Sequence, residues 1–133
     1  MWVRALVVVV GIACAETVHG IARTLWLTPR VGDLRARQVG VLTGSMLVLA
    51  IATLAIRWLR PRTRQEQLGI GALWLVAMLA FEIGLGRALG ASWPRLAADY
   101  DPRQGGFMLA GMAVLLFAPM IACRIRDPLP PRL

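Results

Sequence analysis

Two acidic residues, Glu16 and Glu82, lie inside long apolar stretches. Each precedes a tryptophan, Trp26 or Trp93, by ten or eleven residues. At 1.5 Å rise per residue the carboxyls would lie about 15 Å below that membrane interface. A carboxylate at this depth is costly and generally faces the protein interior. If the two carboxyls meet, they form a proton- or cation-coupled site; alternatively, each is a hydrogen-bonded or ion-paired group that fixes helix register.

Further polar residues follow Glu16 on the same helical face, at the spacing Glu-x-x-His. Di-iron four-helix bundles need two such units, but Leu85 stands three residues after Glu82. The single histidine excludes a bis-histidine haem within one chain, although one axial ligand completed by Cys14 or a methionine stays an alternative. We predict no metal and no cofactor. The predicted intramembrane site consists of Glu16, Glu82, His19 and Arg23.

The loops after the first and third apolar stretches repeat one polar pattern: Pro-Arg, then Asp, then Arg-Gln. The aspartates are expected to cap the following helices, and their four-residue spacing to the next arginine suits a salt bridge. One interpretation is a turn at headgroup level; the other is a paired anion or lipid-headgroup site. The residues are Arg30, Asp33, Arg37 and Gln38 in one loop, and Arg95, Asp99, Arg103 and Gln104 in the other.

The sequence also matches itself at an offset of 66 residues. Residues 10–60 align without gaps on residues 76–126 with 13 identities in 51 positions, where this composition would produce about 4 or 5 by chance. The pattern predicts two tandem helical hairpins, about 2–60 and 68–126, with the same orientation and a pseudo-twofold axis along the membrane normal. Small residues are expected to pack the helices closely, at Gly40, Gly44, Gly86, Gly90, Gly106 and Gly111.

Composition supports a membrane protein as the setting for these patterns. The 133 residues are 58% hydrophobic and 17% charged, against about 45–50% and 25% in a soluble domain. Disordered, collagen-like and disulfide-stapled folds are excluded by the same figures. We predict a single all-α transmembrane domain, residues 1–133, built as a four-helix bundle with spans 2–26, 39–58, 68–89 and 105–123.

The net charge of +8 comes from fifteen arginines and no lysine. These arginines flank the apolar spans, which favours contact with the phospholipid bilayer over nucleic-acid binding. The short loop between spans two and three carries Arg57, Arg60, Arg62 and Arg64. This loop favours an inner-membrane protein with cytoplasmic N and C termini. Counting eight arginines on that side against seven on the other leaves dual insertion open.

Three functions fit these features. The first is a small transporter or channel coupled through the two carboxyls; four helices enclose little volume, so a homo-oligomer with a pathway between protomers is expected. The second is a non-catalytic accessory or assembly subunit of a larger membrane complex, or a lipid-binding scaffold. The third is a lipid-acting enzyme in which Arg37 and Arg103 bind phosphate and Glu16 or His19 transfers protons. No nucleophile–base–orienter set accompanies the third, so we favour a protein that is not an enzyme.

Overall fold

The computed structural model describes residues 1–126, and in that range the chain is helical and contains no strand. Four helices are long and apolar enough to cross a membrane, and the first helical stretch extends from residue 2 to residue 31. They confirm an all-helical fold with four candidate spans. Asp127 and Arg132, which contribute to the charge count, lie outside the described residues. The helices are α1 (Trp2–Ala22), α2 (Thr28–Val31), α3 (Asp33–Leu59), α4 (Arg64–Ala88), α5 (Trp93–Asp99) and α6 (Met108–Arg126), with a π-helical turn at Arg23–Leu27 and a 3₁₀ turn at Pro102–Gln104.

Helix ends follow local chemistry. Gly32, with φ of 89°, breaks the chain between α2 and α3, a conformation that side chains disfavour. Thr63 caps α4 by accepting a hydrogen bond from the Glu66 amide. Helix α3 begins six residues before the predicted span, at Asp33, because its polar first turns extend beyond the apolar window. The apolar criterion therefore locates the span but not the whole helix.

The four long helices pack so that α1 and α6 each contact both α3 and α4. The apolar core fills the half of the bundle nearest the α3–α4 loop. Its centre is Trp74, which is fully buried and donates a hydrogen bond of 3.0 Å from Nε1 to the Ala5 carbonyl. Around it lie Val9, Ile12, Val48, Ile56, Leu59, Ile70, Met78, Leu115, Ala118 and Ala122. This half of the bundle is sealed by close apolar packing.

The other half, nearest the α4–α6 connection, is built differently. The buried positions of α3 there are small: Ala36, Gly40 and Gly44. Small residues leave space beside the helix, and side chains of α1 occupy it, as a Cβ on either glycine would contact them. The bundle therefore has a polar half, nearest the α4–α6 connection, and an apolar half, nearest the α3–α4 loop.

Gly111 packs α6 against α3 as predicted, since a Cβ there would lie 3.3 Å from Val41 Cγ1, but the predicted roles of Gly86 and Gly90 need correction. Gly86 contacts the side chain of Leu96 in α5, with 2.6 Å between its ideal Cβ position and Cδ2, and not another long helix. Gly90 has φ of 91° and nothing within 4 Å of its Cβ position, so it serves chain reversal after α4. The closest helix contact involves Gly71, where a Cβ would overlap the carbonyl oxygen of Leu116 in α6. This pairing of α4 with α6 has no GxxxG signature.

Candidate intramembrane carboxyl site

Glu16 lies on α1 with its carboxyl against the backbone of Gly44 in α3. A Cβ at Gly44 would lie 2.8 Å from Oε2 and 3.3 Å from Oε1, so a side chain at this position would displace the carboxyl from where it lies. The side chain is 20% exposed, and Oε1 is buried with no hydrogen-bond partner among the described residues. A buried acceptor without a donor is energetically unfavourable, which makes this oxygen unusual among buried polar groups.

His19 connects the Glu16 carboxyl to α3. Its Nδ1 lies 3.7 Å from Glu16 Oε2, and its Nε2 lies 2.6 Å from Thr43 Oγ1. The Thr43 hydroxyl also lies 3.1 Å from the Val39 carbonyl, to which it donates. The threonine oxygen is then the acceptor for a hydrogen on Nε2, which leaves Nδ1 of the neutral ring as an acceptor facing Glu16. At 3.7 Å the two groups are within ion-pair range but beyond hydrogen-bond distance.

Arg23 extends this polar face one turn further from the membrane centre. It opens the π-helical turn, and its Cδ and Nη1 lie 2.9 Å and 3.3 Å from the position of a Cβ on Gly40. Insertions of this kind in helices occur frequently at functional sites. Gly40 and Gly44 thus form a groove for three polar side chains, two from α1 and one from the π-helical turn that follows it. The GxxxG spacing in α3 accommodates charged groups and not a close helix backbone.

Glu82 approaches the same region from α4. Its Oε2 lies 3.4 Å from the Tyr100 hydroxyl, which donates, and the carboxyl is within electrostatic range of Glu16, Asp99 and Arg23. Burial, followed by the neighbouring Glu82 and Asp99 carboxyls, raises the pKa of Tyr100, so its phenol remains a donor at neutral pH. Glu16, His19 and Arg23 therefore lie along Gly40 and Gly44 of α3, whereas Glu82 contacts Tyr100 and is linked to Glu16 and Arg23 only through electrostatic interaction.

Sequence reasoning missed two members of this site, Thr43 and Tyr100. Tyr100 is the chain's single tyrosine and lies between two aspartates, and this pattern could have indicated a polar role for it. Thr43 precedes Gly44 inside an apolar span and had no comparable signal, because its role depends on the rotation of α3 against α1. The two carboxyls differ in hydrogen bonding. Glu82 accepts a hydrogen bond from the Tyr100 phenol, whereas Glu16 Oε1 has no partner among the described residues.

The outer loops meet in a closed ring of ion pairs. Arg37 contacts Asp33 at 3.1 Å and also pairs with Asp99. Arg95 contacts Asp99 at 3.2 Å and Asp33 at 3.4 Å. The predicted Asp33–Arg37 pair is confirmed, and the ring joins the start of α3 to α5. Because two arginines balance two aspartates, the arrangement favours a structural turn over an anion site.

The two loops are not equivalent in detail. The predicted Asp99–Arg103 pair is wrong: Arg103 is 91% exposed and contacts Asp101 at 3.4 Å. The predicted caps are also wrong, because Asp33 is the first residue of α3 after Gly32, and Asp99 is the last residue of α5. Arg30 forms no ion pair within residues 1–126. Gln38 donates to the Gly105 carbonyl at 2.8 Å, whereas Gln104 contacts Asp101 at 3.2 Å.

The described acidic and histidine side chains near this site do not form a metal-binding cluster. Across residues 1–126, no three His, Cys, Asp or Glu side chains converge closely enough to hold a metal ion. Comparison of the chain with protein-family models, curated proteins and solved structures finds no match. Function is therefore inferred from the chemistry of the site. Glu16 has a buried oxygen with no hydrogen-bond partner among the described residues, His19 lies beside it, and Glu82 interacts with it electrostatically.

The ion-pair ring makes a prediction about stability. Replacing Arg37 with glutamine removes a guanidinium shared by two aspartates, one of them only 27% exposed, and is expected to lower the free energy of unfolding by about 1–3 kcal/mol. The matched control, Arg103→Gln, removes an exposed arginine and should change it by less than about 0.5 kcal/mol. Unfolding in mixed micelles, followed by circular dichroism, measures both. Equal effects of the two substitutions would contradict the ring.

Proposed function

We propose that this chain is a small membrane transporter or channel-like protein that uses Glu16 and Glu82 for proton or cation coupling. The observation that carries the proposal is the buried Glu16 Oε1, which lacks a donor among the described residues. A proton or a bound cation supplies the missing partner. The second carboxyl, on α4, lies within electrostatic range, so one charge taken up at Glu16 changes the affinity at Glu82.

The distribution of polar groups supports access from one side. Glu16, His19 and Arg23 follow one face of α1 toward the outer loops, and the ion-pair ring lies at the end of this face. In the opposite half, the core around Trp74 fills the bundle. The proposed cycle starts with uptake at the carboxyls from the outer-loop side. Passage across the membrane then requires the apolar half to open, within one chain or between protomers of a homo-oligomer.

We further propose that the two hairpins are tandem repeats related by a pseudo-twofold axis. The contacts support this: α1 packs on α3 and α4 on α6, and the matching helices pack on each other, α1 on α4 and α3 on α6. Glu16 and Glu82 then occupy equivalent positions on facing helices. The basic α3–α4 loop supports a cytoplasmic location for that loop and the termini, in the inner membrane.

Proteoliposomes containing the purified chain test the proposal. A pH gradient is imposed across the vesicles, and a pH-sensitive dye trapped inside reports its decay. Vesicles with the protein are expected to lose the gradient faster than empty vesicles when at least one of the tested monovalent or organic cations is present. No acceleration with any cation would count against transport. Co-purification in constant ratio with a larger membrane complex in mild detergent would instead favour the accessory-subunit alternative.

A further inference from the structure

A groove lies at the opposite end of the molecule from the ion-pair ring, where α1, α3 and α4 meet. Its volume is about 510 Å³, within the range typical of small-ligand sites. Three arginines line it, Arg4, Arg60 and Arg62, together with the Glu66 carboxylate and an apolar floor of Leu59 and Pro61. The carboxyl site and its proposed coupling role use none of these residues.

The charges around this groove are not balanced. In the part of the chain that the structure describes, none of the three guanidiniums forms an ion pair with a carboxylate. Glu66, the acid in the groove, accepts a hydrogen bond of 2.8 Å from the Arg62 backbone amide instead. The groove therefore carries an excess of positive charge, and guanidinium N–H groups that no carboxylate occupies suit phosphate oxygens.

The depth of the groove matches the membrane interface. Arg4 lies 5.4 Å from the centre of the Trp58 ring and donates to the Trp58 carbonyl at 2.8 Å, which fixes it at the end of α3. Trp58 is half-exposed at the end of an apolar span, where interfacial tryptophans concentrate. Arg60 has φ of 54°, a left-handed conformation that a glycine would adopt more easily. This turn directs the chain from α3 back over the groove.

We infer that this groove binds the phosphate headgroup of an anionic phospholipid in the leaflet on the α3–α4 loop side. The guanidiniums of Arg4, Arg60 and Arg62 contact the phosphodiester, and the partly exposed Pro61 lies against the glycerol. Lipid is favoured over a soluble phosphate because Arg4 of the groove contacts Trp58, a half-exposed tryptophan at the end of an apolar span, where headgroups lie. The site is independent of the carboxyl site.

Native mass spectrometry of the detergent-solubilised full chain tests this inference, with phosphatidylglycerol and phosphatidylcholine of identical acyl chains as probes. The wild type is expected to retain phosphatidylglycerol preferentially. The triple variant Arg4→Gln/Arg60→Gln/Arg62→Gln is compared with a control of equal charge loss, Arg57→Gln/Arg64→Gln/Arg124→Gln, whose exposed side chains do not line the groove. Diffuse attraction weakens both triples alike, by about fivefold per arginine lost. A built site weakens the groove triple by about a further tenfold.

Equal weakening of the two triples, or no preference of the wild type for phosphatidylglycerol, would overturn the inference. Displacement of the lipid by millimolar inorganic phosphate would assign the groove to a soluble phosphate and reject the lipid. Arg62→Gln alone guards against misfolding, because its side chain forms no hydrogen bond within residues 1–126. This variant should keep the wild-type circular dichroism spectrum and bind phosphatidylglycerol several-fold more weakly than the single control Arg57→Gln, which loses the same charge outside the groove. Unchanged binding by Arg62→Gln would exclude Arg62 from the site.

Discussion

Replacing Gly71 with alanine is expected to destabilise the bundle strongly, by about 2–3 kcal/mol in the free energy of unfolding. At this position α4 approaches α6 so closely that a Cβ would overlap the Leu116 carbonyl oxygen. Backbone atoms cannot rotate away as a side chain can, so the two helices must separate. Separation also loosens the packing of neighbouring core residues, among them Trp74 and Leu115.

The matched control for this substitution lies on the same helix. Gly84 has nothing within 4 Å of its Cβ position, so Gly84→Ala should be stabilising by about 0.5–1 kcal/mol through helix propensity alone. Unfolding of both variants in mixed micelles measures the difference. If Gly71→Ala is as stable as Gly84→Ala, the close approach of α4 and α6 is incorrect.

Replacing Glu16 with glutamine is expected to abolish proton-linked flux in proteoliposomes while leaving the fold intact. Glutamine has nearly the same shape, so it fits beside Gly44, but it can neither release a proton nor neutralise a cation. The loss should reach the level of empty vesicles. The helix content and the unfolding midpoint should stay close to those of the wild type, because glutamine keeps the shape of the side chain beside Gly44.

Glu82→Gln is expected to give the same loss of flux, since Glu82 is the second carboxyl of the proposed site. Asp101→Asn is the control: Asp101 lies in the outer loop and caps the Pro102–Gln104 turn, and asparagine retains the acceptor. Its flux should match that of the wild type. Wild-type flux in both glutamine variants would reject a coupling role for the carboxyls.

Sequence periodicity and composition were sufficient to predict the number of long helices and their approximate limits. Apolar runs of about 20 residues have few structural solutions in a bilayer, so the four spans could be located without knowing their neighbours. Glu16 and Glu82 could be predicted to belong to one site because an acid inside an apolar span is unusual. The two residues also align with each other at the 66-residue offset of the repeat.

Details that depend on helix rotation could not be predicted. The partner of Arg37 across the outer loops is Asp99, 62 residues away, and local spacing pointed only to Asp33 and to an Asp99–Arg103 pair that does not form. GxxxG spacing indicated close helix backbones, whereas Gly40 and Gly44 face polar side chains. Spacing along one helix predicts which residues share a face, but it does not predict which neighbouring helix or side chain that face contacts.

The number of reactive carboxyls per chain tests most directly whether Glu16 and Glu82 form one site. An apolar carbodiimide enters the bilayer and adds to a protonated carboxyl in apolar surroundings. If the two carboxyls share one space, the first adduct blocks the second, so intact-mass measurement should show labelling that saturates at about one adduct per chain. Each single glutamine variant should still take one adduct, and the double variant none. Saturation at two adducts in the wild type, or an adduct in the double variant, would contradict the shared site.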